Sequence, residues 1–357
     1  MKGDNCIISD CTITMDQTGI DINTDSNNNK VINCRVLRNN ESSYFSYGCY
    51  IGHDYNRIFN CSFMYCTDGL GIYGNNTIIY NCTFNNNMDR GISIFKGEFN
   101  NISCCQINNN GNNFDDPDYG IDIYHGLNNH IENCRISNNG GGGVSFSYWA
   151  LNNTLIKSTI ERNGYFSADG TGILCYSSNR IYLNNIIGNN IQATDLLSNS
   201  EWDNGEHGNF WSDYNGHDWN GDGIGDTPRV VFNNSKDDFP LLCPYNSDGP
   251  SVLLERPAHF KGDFLYLRNF RILNAPITIL IGNIEVKARA VNYDNPERIT
   301  KVEFYVDGVL RHVDIMHPYS WCWRLSSPLN HKHIISVIAH DSKGKIGQDS
   351  CQVYKFM

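Results

Sequence analysis

Short apolar phrases recur through the first 190 residues at nearly constant spacing. One of them, apolar-x-x-Cys-x-apolar, reads Ile8–Cys11–Ile13, Val31–Cys34–Val36, Ile58–Cys61–Phe63, Ile79–Cys82–Phe84, Ile102–Cys105–Ile107 and Ile131–Cys134–Ile136. Two further copies carry Ser158 and Asn184 in the Cys place, between Leu155 and Ile160 and between Ile181 and Ile186. The central residues lie 21 to 29 positions apart, with a mean near 25. A second phrase, Gly-apolar-x-apolar, begins at Gly19, Gly48, Gly69, Gly91, Gly120, Gly143 and Gly172. Period-2 alternation over such short runs predicts strands whose apolar pair points inward. The Asn and Gly runs between phrases supply turn residues that tolerate a left-handed backbone. A unit this small cannot bury its own apolar face, so the copies must stack. Residues 1–200 are therefore expected to form an all-β solenoid, a parallel β-helix of about eight rungs at ~4.8 Å each.

Stacking turns the six repeat cysteines into one file inside the rod. Buried Cys behaves there as a small apolar residue, and vertical neighbours lie close enough that an occasional disulfide is not excluded. A ladder does not converge on one point, so it is a poor zinc or iron–sulfur site.

The repeat ends near Asp195. Residues 201–247 hold Trp202, Phe210, Trp211, Tyr214 and Trp219, a set expected to cover the last rung, with a sugar-stacking platform as the alternative. The same segment contains Asp218, Asn220, Asp222, Ile224 and Asp226 at alternate positions with Gly223 sixth, the opening of a calcium loop in which Ile224 lends its carbonyl. Position 12 is Arg229 instead of Glu, so Asp213, Asp237 or Asp238 would have to complete the shell of a structural calcium ion. The alternative is a plain turn. Residues 248–357 read as about seven strands, among them Ile284–Ala290, Lys301–Val306, His312–Ile315, Ser320–Leu325, His333–Ala339 and Cys351–Phe356. With Asp307-Gly308 as a hairpin turn they predict an immunoglobulin-like sandwich. Trp321 and Trp323 share a face and are expected in its core. A Cys322–Cys351 pair is left open, and His331 and His333 are expected on an exposed edge.

The net charge of −11 argues against nucleic acid and anionic membrane surfaces as partners. No run approaches the ~20 apolar residues of a membrane span. Met1-Lys-Gly-Asp-Asn enters the first rung with no apolar leader. The expectation is a missing upstream segment, or an open N-terminal end that docks onto another chain.

Candidate chemistry lies on the outward side of the Gly-apolar-x-apolar strands. The outward residues are Asp21, Tyr50, Gly71, Ser93, Asp122, Ser145 and Leu174 in turn. Asp21 and Asp122 are four rungs, ~19 Å, apart. A glycosidase pair needs about 5–9.5 Å. Three copies carry longer insertions, with Tyr44, Phe45 and Tyr47, then Phe114, Asp115, Asp116, Asp118 and Tyr119, then Tyr165, Phe166 and Asp169. Loops on a rigid rod are where binding groups are mounted. A further column holds His53, Lys96, His125 and Tyr148. A groove floored by Asp122, His125, Lys96 and Asp118 is the candidate catalytic site. Tyr47, Phe114, Asp118, Tyr119, Tyr165 and Phe166 are the candidate carbohydrate contacts.

These rungs resemble the right-handed parallel β-helix repeats of the NosD-like, carbohydrate-binding-and-sugar-hydrolysis class. Gly208-Asn-Phe-Trp-Ser-Asp-Tyr-Asn-Gly216, Asp222-Gly-Ile-Gly-Asp-Thr-Pro228 and Phe239-Pro240 resemble the segment that closes such helices in archaeal and bacterial surface proteins. Lys301-Val-Glu-Phe-Tyr-Val-Asp-Gly308 with Pro318-Tyr-Ser-Trp321 resembles an appended Ig-like module. The resemblance implies export, residence at the cell surface and contact with polysaccharide. Its namesake serves copper-enzyme maturation, yet no Met-x-x-Met or dense His cluster here supports copper. Two readings follow. One is a non-enzymatic surface protein that binds glycan along a loop-bearing edge. The other is a polysaccharide lyase, epimerase or hydrolase working in the groove of rungs 4–6.

Overall fold

The structure is a computed structural model that describes residues 1–15, 17–23, 25–38, 46–111, 118–260, 262–293, 298–324 and 331–356. Residues 7–195 wind into three parallel sheets of eight, nine and eight strands. The first sheet runs from Ile7–Ser9 to Arg180–Tyr182. The second runs from Thr12–Met15 to Asn185–Ile187 and gains Phe210–Trp211 as its ninth strand. The third runs from Ile20–Ile22 to Ile191–Asp195. Repeat positions pair in register, as in Ile58↔Ile79↔Ile102↔Ile131 and Ile72↔Ile94↔Ile123↔Phe146. The vertical files expected from the spacing are present, and their apolar members are buried from the second rung onward, while Ile8 and Ile13 of the first are half-buried. Among the described residues no helix is long and apolar enough to cross a membrane.

The corners explain the Asn content. Asn33, Asn60, Asn81 and Asn133 hold one corner at φ of 53–55°, and Asn86, Asn109 and Asn138 hold a second at 55–57°. Asn tolerates this left-handed region where branched residues do not. Two further Asn files are turned inward. In one, Asn100, Asn129, Asn153 and Asn179 are linked by backbone N–H and side-chain NH2 donors to the Oδ1 of the next rung at 2.9–3.0 Å. In the other, Asn87, Asn110, Asn139, Asn163 and Asn189 repeat the pattern at 2.9–3.0 Å. Each ladder satisfies backbone groups that the corners bury.

The cysteine file does similar work. The Cys34 N–H donates to the Cys61 Sγ at 3.3 Å, and the Cys61 N–H to the Cys82 Sγ at 3.4 Å. Further along, the Cys134 N–H donates to Ser158 Oγ at 3.1 Å, and the Ser158 N–H to Asn184 Oδ1 at 3.0 Å. Cys, Ser and Asn share a compact acceptor, which is why they alternate at this place. The expected role as mere apolar filler is thus incomplete.

Above the last rung, Trp202 and Trp211 are buried with ring centroids 5.6 Å apart. Each indole N–H is tied to a buried carboxylate, Trp202 to Asp195 Oδ2 at 3.3 Å and Trp211 to Asp237 Oδ2 at 2.8 Å. Asp237 also accepts the N–H groups of Asn209 at 2.7 Å and Phe239 at 3.0 Å. A methyl added at Gly208 would lie 1.7 Å from Asp237 Oδ1. Gly208→Ala is expected to expel this carboxylate and cost about 2–4 kcal/mol, because several donors lose their partner at once. Calorimetry of the variant checks this, and an unchanged melting temperature would mean that the carboxylate has room to move. Trp219 does not join the cap. It is 79% exposed and groups with the C-terminal unit.

Contacts divide the chain into two compact units, Met1–Gly216 with Thr227–Pro240, and His217–Asp226 with Leu241–Met357. The second unit holds a three-stranded sheet (Ser251–Arg256, Ile284–Val291, Tyr319–Trp323) and a seven-stranded one. Its core includes Val286, Phe304, Ile335, Val337, Val353 and Trp323, with Trp321 packed against it. The ten strands among the described residues exceed the seven or so expected. Phe270–Asn274, for one, is exposed along its whole length and shows no inward alternation. Asp307 and Gly308, at φ of 53° and 75°, make the expected hairpin turn. Cys322 and Cys351 are free thiols on different sheets. His333 is buried and its Nδ1 lies 2.7 Å from Asp307, while His331 Nδ1 meets the Lys355 carbonyl. The exposed edge expected of the pair holds for His331 alone, whereas His333 is buried.

Candidate functional site

The third sheet carries the site on its outward face. Three adjacent columns of its strands meet there: the residue before each Gly (Tyr47, Asp68, Arg90), the outward residue inside the phrase (Ser93, Asp122), and the residue just after it (Tyr73, Phe95, Tyr124). Together they line a groove of about 310 Å³. Tyr47 lies flat against Gly71, where a Cβ would come within 2.4 Å of the ring. Tyr50, Tyr73, Phe95 and Tyr124 follow one another along the rod with centroids 5.1–5.3 Å apart. That is close to the rung spacing, so the parallel register itself builds the aromatic file.

Beside the rings, three carboxylates converge on one guanidinium. Arg90 Nη2 lies 2.9 Å from Asp118, Nε 3.2 Å from Asp122 and Nη1 3.9 Å from Asp68. The Arg90 backbone N–H also donates to Asp68 at 3.1 Å. Ser93 Oγ donates to Asp68 at 3.0 Å, and Ser147 Oγ to Asp122 at 2.9 Å. Burial pushes Asp118 up to about 7; Arg90 opposes this, while Asp89, Asp122 and Asp68 add to it. Burial likewise raises Asp68 against the pull of Arg90. For Arg90, burial works to lower its proton affinity, but Asp118, Asp68 and Asp122 outweigh it and hold the guanidinium above its usual range.

Of the residues singled out in the sequence, Asp118 and Asp122 meet through Arg90. Lys96 and His125 stand apart at a corner, both with left-handed backbones. The Lys96 ammonium is 5.6 Å from the Phe95 ring, and the His125 ring is 4.3 Å from Tyr124. Neither is among the groove-lining residues. Tyr119 Oη reaches Thr171 at 3.5 Å. Tyr165 and Phe166 are exposed on their loop, outside the groove lining. Phe114, with Tyr44, Phe45, Asp115 and Asp116, lies outside the described residues. Sequence reading missed Asp68, Arg90, Tyr73, Phe95 and Tyr124. The signal existed: these fall one position before the Gly and one after the last inward residue, columns adjacent to the ones inspected.

The Asp218 loop curls onto itself. Asp218 Oδ1 accepts the N–H groups of Gly221 at 2.7 Å and Asp222 at 3.1 Å, and Oδ2 accepts Gly223 at 3.0 Å. Asp222 Oδ1 accepts the Ile224 N–H, and Asp226 accepts the Trp219 N–H. Arg289 Nη1 lies 2.7 Å from Asp218 Oδ2. The carboxylates expected to complete a calcium shell are engaged elsewhere: Asp213 with Arg229, Asp237 with Trp211, and Asp238 with Lys236. Among the described residues no three His, Cys, Asp or Glu side chains converge as an ion site.

Residues 2–116 match the family described as right handed beta helix region, and residues 73–216 match that described as periplasmic copper-binding protein (NosD). No curated protein sequence matches. Among solved structures, the chain is similar to the A-modules of the Azotobacter vinelandii mannuronan C-5 epimerases AlgE6 (14% identity, 56% of this chain and 56% of that one, TM-score 0.41) and AlgE4 (16%, 55% and 57%, 0.42). It is also similar to full-length tailspike protein 2 of the Escherichia coli O157:H7 bacteriophage CAB120 (10%, 99% and 59%, 0.44). The chain thus spans little more than half the length of the solved structures it matches.

The donor set does not fit the copper of the second description. Copper(I) favours thiolate and thioether ligands. Here Cys61 and Cys105 are pushed far up, the former chiefly by its Cys82 hydrogen bond and the latter by that to Cys134, with burial adding to both. Cys82 is pushed up to about 12, first by its hydrogen bond to Cys105 and then by burial. These thiols stand one above another in a file that does not converge on a point. What carries over is the architecture: the chain is a NosD-like right-handed β-helix repeat protein.

Proposed function

We propose that this protein works outside the cytoplasm, at the cell surface, and binds carbohydrate along the third sheet without turning it over. The single observation that carries this reading is the groove in which Tyr47, Tyr73, Phe95 and Tyr124 stand beside Asp68, Arg90, Ser93 and Asp122. Apolar ring surface meets the C–H face of a sugar, and carboxylates and hydroxyls accept and donate to its OH groups. Binding needs no tuned proton donor, whereas turnover does. The C-terminal unit is read as an immunoglobulin-like spacer.

A glycan array followed by calorimetric titration of the best hit tests the proposal. Tyr73→Ala and Tyr124→Ala are each expected to weaken binding about tenfold, the equivalent of ~1.4 kcal/mol. Full affinity in both variants would remove the groove from the binding surface.

Turnover is favoured by one feature, the Asp118 carboxyl near pH 7 close to Asp122. Release of reducing ends or of unsaturated sugar from the bound glycan, abolished in Asp118→Asn, would establish it.

Calcium at the Asp218 loop belongs to the same proposal. The alternate spacing of Asp218, Asn220, Asp222 and Asp226 supports it, and the ion would have to displace Arg289 from Asp218. EDTA is expected to lower the melting temperature, with Arg289→Gln increasing the calcium-dependent gain. No response to calcium in either protein would leave the loop a plain turn closed by arginine.

A further inference from the structure

The charge arrangement of the groove bears on which glycans it can hold, an inference that rests on the carbohydrate-binding proposal. Arginine beside aromatic rings would ordinarily suggest recognition of an acidic sugar, since its fork matches a carboxylate. In this groove the fork is already taken. All three guanidinium nitrogens face carboxylates of the same chain, at 2.9, 3.2 and 3.9 Å. The acids outnumber the base three to one, and Asp89 stands near enough to raise both Asp68 and Asp118 further. The Asp68 and Asp122 side chains are further anchored by Ser93 and Ser147, which hold them toward Arg90. Lys96, over the Phe95 ring, lies outside the groove lining.

We infer that the groove takes a sugar chain without acidic groups, and that Arg90 organises the three carboxylates instead of receiving an anion. A uronate or sulfate laid along Tyr73, Phe95 and Tyr124 would place a negative charge against a wall in which three carboxylates face one guanidinium. Like charges brought together in a partly desolvated site discriminate strongly against the wrong ligand. Hydroxyls meet no such barrier, because Asp68, Asp118 and Asp122 keep acceptor capacity beyond their bonds to Arg90.

The test uses the full chain on an array of neutral, amino-bearing and acidic glycans at low ionic strength. It is repeated with Asp118→Asn/Asp122→Asn, which releases two of the three partners of Arg90. The best wild-type ligand is expected to be free of carboxylate and sulfate, with polygalacturonate at least tenfold weaker. The double variant is expected to gain at least tenfold for polygalacturonate, and that gain should fade with added salt. Wild-type preference for polygalacturonate, or a double variant that gains nothing, overturns this inference and leaves glycan binding standing. Binding of no glycan by either protein overturns both. Circular dichroism of the double variant separates an altered groove from a lost fold, and Asp118→Asn alone supplies the milder change if the pair unfolds.

Discussion

Arg90→Met is expected to be one of the most damaging single changes in the β-helix unit, and its damage is expected to shrink in acid. Removing the guanidinium leaves Asp68, Asp118 and Asp122 facing one another with no counter-charge. Asp68 has only 2% of its side chain exposed. Breaking a buried ion pair from one side costs about 3–5 kcal/mol; because the Arg90 side chain is 28% exposed, about 2–4 kcal/mol is expected at pH 8. Acid relieves it, since protonating the carboxylates removes the repulsion.

The wild type should show the same sign weakly. Asp118 and Asp237, both raised to about 7 chiefly by burial, bind protons more readily folded than unfolded. Their contribution is fully present below the ordinary carboxylate range and is lost as pH rises through about 7. Melting temperatures measured from pH 5 to 8 should fall gently for the wild type and steeply for Arg90→Met. Parallel slopes would show that the three acids are not coupled through Arg90.

The second large effect is expected inside the rod. Asn139 gives its backbone N–H to Asn163 at 3.0 Å and its NH2 to the Ile107 carbonyl at 3.1 Å and to Asn163 at 2.9 Å. Its own Oδ1 accepts both the N–H and the NH2 of Asn110 at 2.9 Å. Asn139→Ala leaves the Asn110 N–H and the Ile107 carbonyl buried without those partners. At about 1–3 kcal/mol for each stranded group, a loss near 3–4 kcal/mol is expected. It should exceed that of an exposed corner Asn such as Asn60→Ala. Chemical denaturation of the two variants compares them directly. Equal losses would mean that water enters the rod and satisfies the stranded groups.

The ladder shows why part of this protein was legible early and part was not. The period, the inward apolar pairs and the Cys–Ser–Asn file are spelled in consecutive residues, because each strand uses every second side chain and each rung repeats it. Asn-rich stretches read only as turns. Some Asn residues hold a left-handed corner, as Asn109 and Asn138 do, while their neighbours Asn110 and Asn139 turn inward to bond the next rung. One residue type at adjacent positions serves two purposes, and only stacking reveals which is which.

The groove follows the same logic. Asp122 could be picked out from its outward position and Asp118 from its insertion, but Asp68 and Arg90 lie up to two rungs away in the chain. Trp219 looked like a cap residue beside Trp211, yet its loop packs within the other unit. Local chemistry determined the strands, the turns and the vertical files, since those depend on neighbours in sequence and a constant period. The tertiary structure decided which charges face each other and which carboxylate holds which ring. Those outcomes depend on insertions of different length being brought into register, a geometry that no single repeat contains.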